Sequence, residues 1–277
     1  MYCGLAGFCA IIGLLTAGSR TMPSTPAQPL KALFLGNSYT RVNALPAIFQ
    51  EIAVSAGYPK PEVASSTPGA CTLSQHLNTP GSVELIDRGD WDVVVLQEQS
   101  QVPAWAAENE EFHRVFLSGA EGVVKRVREK NPDVKIVFYE TWARAPVLWE
   151  KKSEQIKQAG CDAAEMQKRI REEYEKIASM AVKCMPPGTK GRVMLARVGD
   201  LWEQNFKSSK PLILHSKDGS HPAFAGSYLA GLVIFSNVYD VTPARVTYRG
   251  ALAEEDAALL RKLTVDHREL VPCPVQK

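Results

Sequence analysis

The chain is predicted to be an α/β protein, a doubly wound three-layer sandwich with about five parallel strands. Two observations predict it. Short apolar runs recur along the chain and each stops at a glycine-rich or polar cluster. Between them lie amphipathic segments long enough to be crossover helices. With 277 residues and 45% hydrophobic content, the chain can bury one sizeable core and requires no second domain.

The first strand is Leu33-Phe34-Leu35, which ends at Gly36-Asn37-Ser38-Tyr39-Thr40 and gives way to a helix marked by Leu45, Ile48, Phe49, Ile52 and Ala53. A short strand over 61–66 runs into the breaker-rich loop Thr67-Pro68-Gly69-Ala70-Cys71, and one helix is expected over 73–88. Asp92-Val93-Val94-Val95-Leu96 reads as a strand covered on both faces; it ends in Gln97-Glu98-Gln99-Ser100. A helix over 108–130 stops at Asn131-Pro132, a strand follows over 134–139, and its loop carries Glu140, Thr141, Trp142, Ala143 and Arg144. Residues 145–160 are mixed. A charged amphipathic helix over 162–182 is expected to turn its Glu, Arg and Lys residues to solvent. The last strand spans 192–198, a short helix holds Leu201, Trp202 and Phe206, and helices follow over 222–238 and 253–266. No internal repeat or low-complexity segment interrupts this order.

The amino terminus differs from the rest. Residues 1–19 have an apolar centre, Leu5 to Leu15, too short to span a bilayer comfortably and followed by Ala17, Gly18 and Ser19. That pattern is expected of a secretory signal peptide, although no positive charge precedes the apolar run. A lipoprotein anchor at Cys9 is the variant, disfavoured by Phe8 where a small residue belongs, and an uncleaved anchor is a further alternative. Residues 20–30 read as a Pro/Ser/Thr-rich linker, and residues 31–277 as one domain. The expectation is a secreted or periplasmic protein without stable membrane insertion after cleavage. Basic and acidic residues number 32 and 30, with no long run of one sign, so nucleic acid is not an expected partner. Cys71, Cys161, Cys184 and Cys273 remain beyond the signal, an even count that suits disulfides and allows three pairings. No Cys-x-x-Cys or His-x-x-x-His spacing suggests a metal, and no cofactor is expected.

The chemistry-bearing residues follow the strands. Ser38, Gly69, Gln97, Trp142 with Arg144, and Asp218 with His221 each stand after an apolar run, and a parallel sheet brings all such strand ends to one edge. Ser38 sits where strand turns to helix, as a nucleophile can; it can equally be an ordinary turn or cap residue. In Asp218-Gly219-Ser220-His221-Pro222 the carboxylate lies three residues before the imidazole and can fix its tautomer. A serine hydroxyl needs such a base because it is hardly ionised at neutral pH. Asp218 can also cap a helix beginning at Pro222. His215 precedes Asp218 and so does not fit the Asp-x-x-His order, and His76, His113 and His267 fall in expected helices, as surface or partly buried histidines do.

Gly36-Asn37-Ser38, the glycine of the second loop, the polar cluster after Val93-Val94-Val95-Leu96, and Asp218-Gly219-Ser220-His221-Pro222 together resemble the ordered blocks of the SGNH, or GDSL-like, hydrolases across nearly the whole mature chain. The resemblance implies a flavodoxin-like sheet and a serine esterase: Ser38 the nucleophile, His221 the base, Asp218 its orienting carboxylate. Backbone N–H groups of Ser38 and Gly69 would hold the oxyanion. Two departures stand out. Asn37 replaces the usual Asp, and the third block reads Leu96-Gln97-Glu98-Gln99-Ser100 instead of offering an Asn. It is similar to the Gln-Gly-Glu-Ser arrangement of carbohydrate acetylesterases in the superfamily, which implies Gln97 as the third oxyanion donor, with Gln99 second. Asn37, Gln99, Trp142 and Arg144 are the expected substrate-contacting residues, an indole plane suiting a sugar and a guanidinium a carboxylate or hydroxyls; a Trp wedge and a surface salt bridge are the alternative for the last two. Glu98 is expected only to accept backbone hydrogen bonds. The expected substrate is a short O-acyl, O-acetyl above all, ester of a carbohydrate. A lipase or thioesterase and a catalytically weak carbohydrate-binding protein are the alternatives.

Overall fold

The computed structural model describes residues 28–150, 153–267 and 269–270; the expected signal peptide, nearly all of the linker and Cys273 lie outside them. Five strands, β1 (Lys31–Leu35), β2 (Glu62–Ser66), β3 (Val93–Leu96), β4 (Lys135–Tyr139) and β5 (Val193–Ala196), form one sheet in the order β2-β1-β3-β4-β5. Every pairing is parallel, and the registers align the carboxyl ends: Leu35 pairs with both Ser66 and Leu96, Leu96 with Phe138, and Tyr139 with Ala196. This is the three-layer α/β/α arrangement that the spacing of the apolar runs predicts.

Alternation within the buried strands sends Phe34, Val95 and Val137 to one face and Leu33, Val94 and Ile136 to the other. The first face is covered chiefly by α2 (Leu45–Ser55), α10 (Val198–Lys207), α11 (Phe224–Tyr239) and α12 (Glu254–Asp266), the second by α3 (Leu73–His76), α4 (Pro80–Asp87), α5 (Val102–Ala106), α6 (Glu110–Lys130) and α9 (Ala163–Lys183). Helix α11 is apolar nearly all round because it is wedged between the sheet, α2 and α12. A one-turn helix, α1 (Ser38–Arg41), opens directly behind β1, and two short helices, α7 (Val147–Glu150) and α8 (Glu154–Ala159), occupy the mixed stretch.

Several expectations are corrected. The helix over 73–88 is two, because Pro80 forces Thr79 into an extended conformation (φ −86°, ψ 115°) and restarts the chain at a new angle. Helix α9 does not turn all its charge outward: Glu173 is fully buried and Arg171 reaches Asp200 at 2.5 Å. Among the described residues no two cysteines are joined; Cys71 is buried and Cys184 exposed. No helix among those residues is long and apolar enough to cross a membrane.

Candidate active site

The carboxyl edge of the sheet gathers the loops that follow the strands. Hydrogen bonds extend the ladder past the strand ends: Gly36 N–H donates to Ser66 O at 3.1 Å and Gln97 N–H to Leu35 O at 2.9 Å. The turn after β1 is therefore held on both sides before it delivers Ser38. Asn37 caps α1, its Oδ1 accepting Tyr39 N–H at 3.1 Å, while its Nδ2 donates to Cys71 O at 3.1 Å. Ser38, first in that helix, keeps its own N–H outside the helical ladder.

Residues separated by more than 180 positions meet here. Ser38 Oγ lies 2.9 Å from His221 Nε2, and His221 Nδ1 lies 2.6 Å from Asp218 Oδ2. The other carboxylate oxygen accepts Ser216 Oγ–H at 2.7 Å and the N–H groups of Ser220 and His221 at 2.8 and 2.9 Å. Partial burial pushes the Asp218 carboxyl up, but the bonds from Ser216, His221 and the two backbone groups outweigh it and hold the group well below the usual carboxylate range. A persistent negative charge there keeps the Nδ1 proton in place and leaves Nε2 free to accept. Asp218 does not cap the next helix: α11 begins at Phe224, and its cap residue, Ala223, makes no side-chain bond.

The loop holding this pair rests on an aromatic wall. Tyr39 stacks on Trp142 (4.6 Å between ring centroids, 7° between planes), Trp142 stacks on Trp202 (3.9 Å, 5°), and Tyr39 meets the His221 ring edge-on at 5.4 Å. Trp142 Nε1 donates to Ser220 O at 3.0 Å, and Tyr39 Oη and Ser220 Oγ share a bond of 2.9 Å. Asn43 Nδ2 fastens the far side through Pro222 O (3.1 Å) and Ser227 Oγ (2.9 Å). His215 stays behind the wall, its Nε2–H donating to Ala143 O at 3.0 Å; burial drives its pKa down to about 4, so it is a neutral packing imidazole.

Three expected contact residues and the expected third oxyanion donor stand elsewhere than expected. Trp142 is fully buried with both faces covered, so no sugar ring can stack on it. Arg144 is only 8% exposed and donates to Tyr39 Oη and Ser100 Oγ, bracing the wall from behind. Asn37 is buried as a cap. Gln97 is buried too: its Oε1 accepts Asn37 N–H at 3.1 Å and Thr40 Oγ–H at 2.9 Å, and its Nε2 donates to Glu98 O. The cause is position. Gln97 directly continues the buried end of β3, so its side chain enters the packed turn beneath Gly36.

Gln99, two residues on, is half-buried. Its Oε1 accepts Gln101 N–H at 2.7 Å and Val102 N–H at 3.1 Å, which fixes the carboxamide and leaves its NH2 without a partner among the described residues. Gly69, in the loop after β2, is exposed, with no partner for its N–H among those residues. Ala70 beside it has φ +55°, a left-handed conformation that strains a residue bearing a Cβ. Against this loop opens a cavity of about 430 Å³, lined by Pro68, Gly69, Cys71, Ser74, Gln75, Asn78 and Thr79.

Tyr39 and Asn43 have roles that the sequence did not signal, and His76 is not the surface or partly buried histidine expected of its helix. His76 is fully buried, its Nε2 3.0 Å from Gly36 O and its Nδ1 2.7 Å from Ser82 Oγ, which in turn meets Ser66 Oγ at 2.8 Å. Only its place two residues before the Asn78-Thr79-Pro80 break could have suggested that it points under the sheet edge.

No protein-family model and no curated protein matches the chain. Solved structures do. One described as a GDSL-like lipase from Parabacteroides merdae superposes with a TM-score of 0.52 at 14% identity, covering 77% of this chain and 96% of that one. A lipase/acylhydrolase from Enterococcus faecalis gives 0.51 at 13% identity, covering 80% and 100%. An acetylxylan esterase from Geobacillus stearothermophilus gives 0.48 at 15% identity, covering 79% and 97%.

Proposed function

We propose that this chain, whose fold is that of the SGNH, or GDSL-like, hydrolases, is a serine ester hydrolase. The observation that carries the proposal is the unbroken path Ser38 Oγ to His221 Nε2 (2.9 Å) and His221 Nδ1 to Asp218 Oδ2 (2.6 Å) at the carboxyl edge of the sheet. Ser38 gives its proton to His221 as its oxygen attacks the ester carbonyl; Asp218 stabilises the imidazolium that forms. His221 then returns the proton to the departing alcohol, and water, activated by the same imidazole, releases the acid from the acyl-enzyme. The oxyanion is met by the N–H groups of Ser38 and Gly69 and by the Gln99 carboxamide, with Gln97 supporting the turn from below.

The substrate we propose is a short acyl ester, an acetyl ester above all, of a hydroxyl-rich alcohol such as a carbohydrate. Support comes from the similarity of the third block to that of carbohydrate acetylesterases. The cavity beside Gly69 adds to it, since Ser74, Gln75, Asn78 and Thr79 line it with hydrogen-bonding groups. Trp142, being buried, offers no face to a sugar ring. Export through the first 19 residues belongs to the same proposal. The test is hydrolysis of p-nitrophenyl acetate by parent and Ser38→Ala proteins: a fall of about a thousandfold or more is expected, and equal turnover refutes it. Comparing acyl chains from acetate to decanoate decides between esterase and lipase, with rates expected to fall as the chain lengthens.

A further inference from the structure

The mechanism leaves one ionisable group beside the site without a task. Glu98 is 1% exposed and lies between the loops that carry Gly69 and Gln99. Its two carboxylate oxygens each accept Leu73 N–H at 3.2 Å, at the end of the Gly69 loop, and Oε1 also accepts Gln99 N–H at 2.5 Å. Its own N–H donates to Tyr174 Oη at 3.1 Å on α9, and its carbonyl accepts the Gln97 carboxamide. One residue thus ties together the loop after β2, the loop after β3 and the helix behind them.

We propose that Glu98 is a positioning residue for ester hydrolysis, a clamp that holds the Gly69 loop to the Gln99 loop so that the two oxyanion donors keep a fixed separation. It rests on the hydrolase assignment above. Donors that are held in place before the reaction cost no reorganisation when charge develops, and loss of an ångström of registry forfeits much of their effect. Gln99 is gripped twice, its carboxamide by Gln101 and Val102 and its backbone by Glu98. The Gly69 loop, by contrast, has the strained Ala70 and needs an external anchor.

The clamp also carries a pH dependence. Among the described residues no Lys, Arg or His forms an ion pair with Glu98. The ionisable groups that face it are Cys71 from the Gly69 loop and Tyr174 from α9, both pushed up by burial and neutral near pH 7. Glu140, reached through Tyr174 from the end of β4, is itself pushed toward its neutral form by burial and by Asp200. Burial therefore dominates at Glu98 and raises its pKa to about 7 against the Gln99 and Leu73 bonds. The carboxylate accepts the Leu73 and Gln99 N–H groups more strongly than the acid does, so the clamp is firmest once Glu98 is ionised and the rate rises through that pH.

The experiment measures kcat and KM for p-nitrophenyl acetate from about pH 5.5 to about pH 9 in the full-length parent, Glu98→Gln and Glu98→Ala, with Ser38→Ala as reference. Glu98→Ala should lose about 30- to 100-fold in kcat with KM within about twofold. Glu98→Gln keeps an acceptor for the two N–H groups at every pH; it should stay within about threefold of the parent near pH 8 and show a shallower rise in kcat between about pH 6 and about pH 8. Parental kcat in Glu98→Ala overturns the clamp, as does a Glu98→Gln protein that retains the parental pH profile. Should Glu98→Ala fail to fold by circular dichroism, Glu98→Gln alone decides. Activity persisting in Ser38→Ala would defeat the hydrolase assignment itself, whatever Glu98 does.

Discussion

Gln97 and Gln99 are the same side chain two positions apart, and their surroundings assign them opposite duties. Gln97 spends both ends of its carboxamide inside the protein, whereas Gln99 spends only its oxygen. Truncation should separate them. Gln99→Ala is expected to lower kcat on p-nitrophenyl acetate by about a hundredfold with little change in stability. Gln97→Ala leaves the buried Asn37 N–H and Thr40 hydroxyl without their acceptor, and should cost about 1–3 kcal/mol in urea unfolding. A catalytic loss confined to Gln97→Ala, at full stability, would reverse the assignment. The residue types were legible in the sequence; the choice between them was not, because it depends on which side of the strand end each side chain leaves.

The turn between β1 and α1 is built by elements far from it in the chain. A Cβ at Gly36 would lie 2.5 Å from Thr40 Oγ1 and 2.7 Å from Gln97 Oε1, so a side chain there would displace the two groups that hold the turn to β3. Beneath it, the α3–α4 break presents His76 to Gly36 O and Ser82 to His76. His76→Leu removes the donor to one buried carbonyl and the partner of one buried hydroxyl, and should cost about 1–3 kcal/mol in urea unfolding; an unchanged midpoint would show the contact to be idle. Strands and long helices could be read from their apolar periods, which is why the sheet emerges as expected. The break at Pro80 and the wall of Tyr39, Trp142 and Trp202 could not, since a proline marks a stop without its angle, and an aromatic at a strand end suits crevice or core equally well.

For the molecule as a whole, two buried groups set opposing pH trends. His215 has its pKa lowered to about 4 by burial, so the stability associated with it is present above about pH 6.5 and is lost as pH falls toward 4. Glu98 has its pKa raised to about 7, so its contribution is present below about 4.5 and is lost as pH rises through 7. Each is worth on the order of 3 kcal/mol across its window, and between about pH 4.5 and 6.5 they oppose each other. Glu98→Gln should remove the loss at the alkaline side: relative to the parent, its unfolding free energy should increase by a few kcal/mol between pH 4.5 and pH 8. Parallel pH curves for the two proteins would show that Glu98 does not titrate in that range.

Most direct of all is reaction with a fluorophosphonate probe followed by mass spectrometry of the digested protein. One adduct, on Ser38, is expected, and it should vanish in His221→Ala; a protein left unlabelled, or labelled at another residue with Ser38 untouched, would contradict a nucleophile activated at the sheet edge.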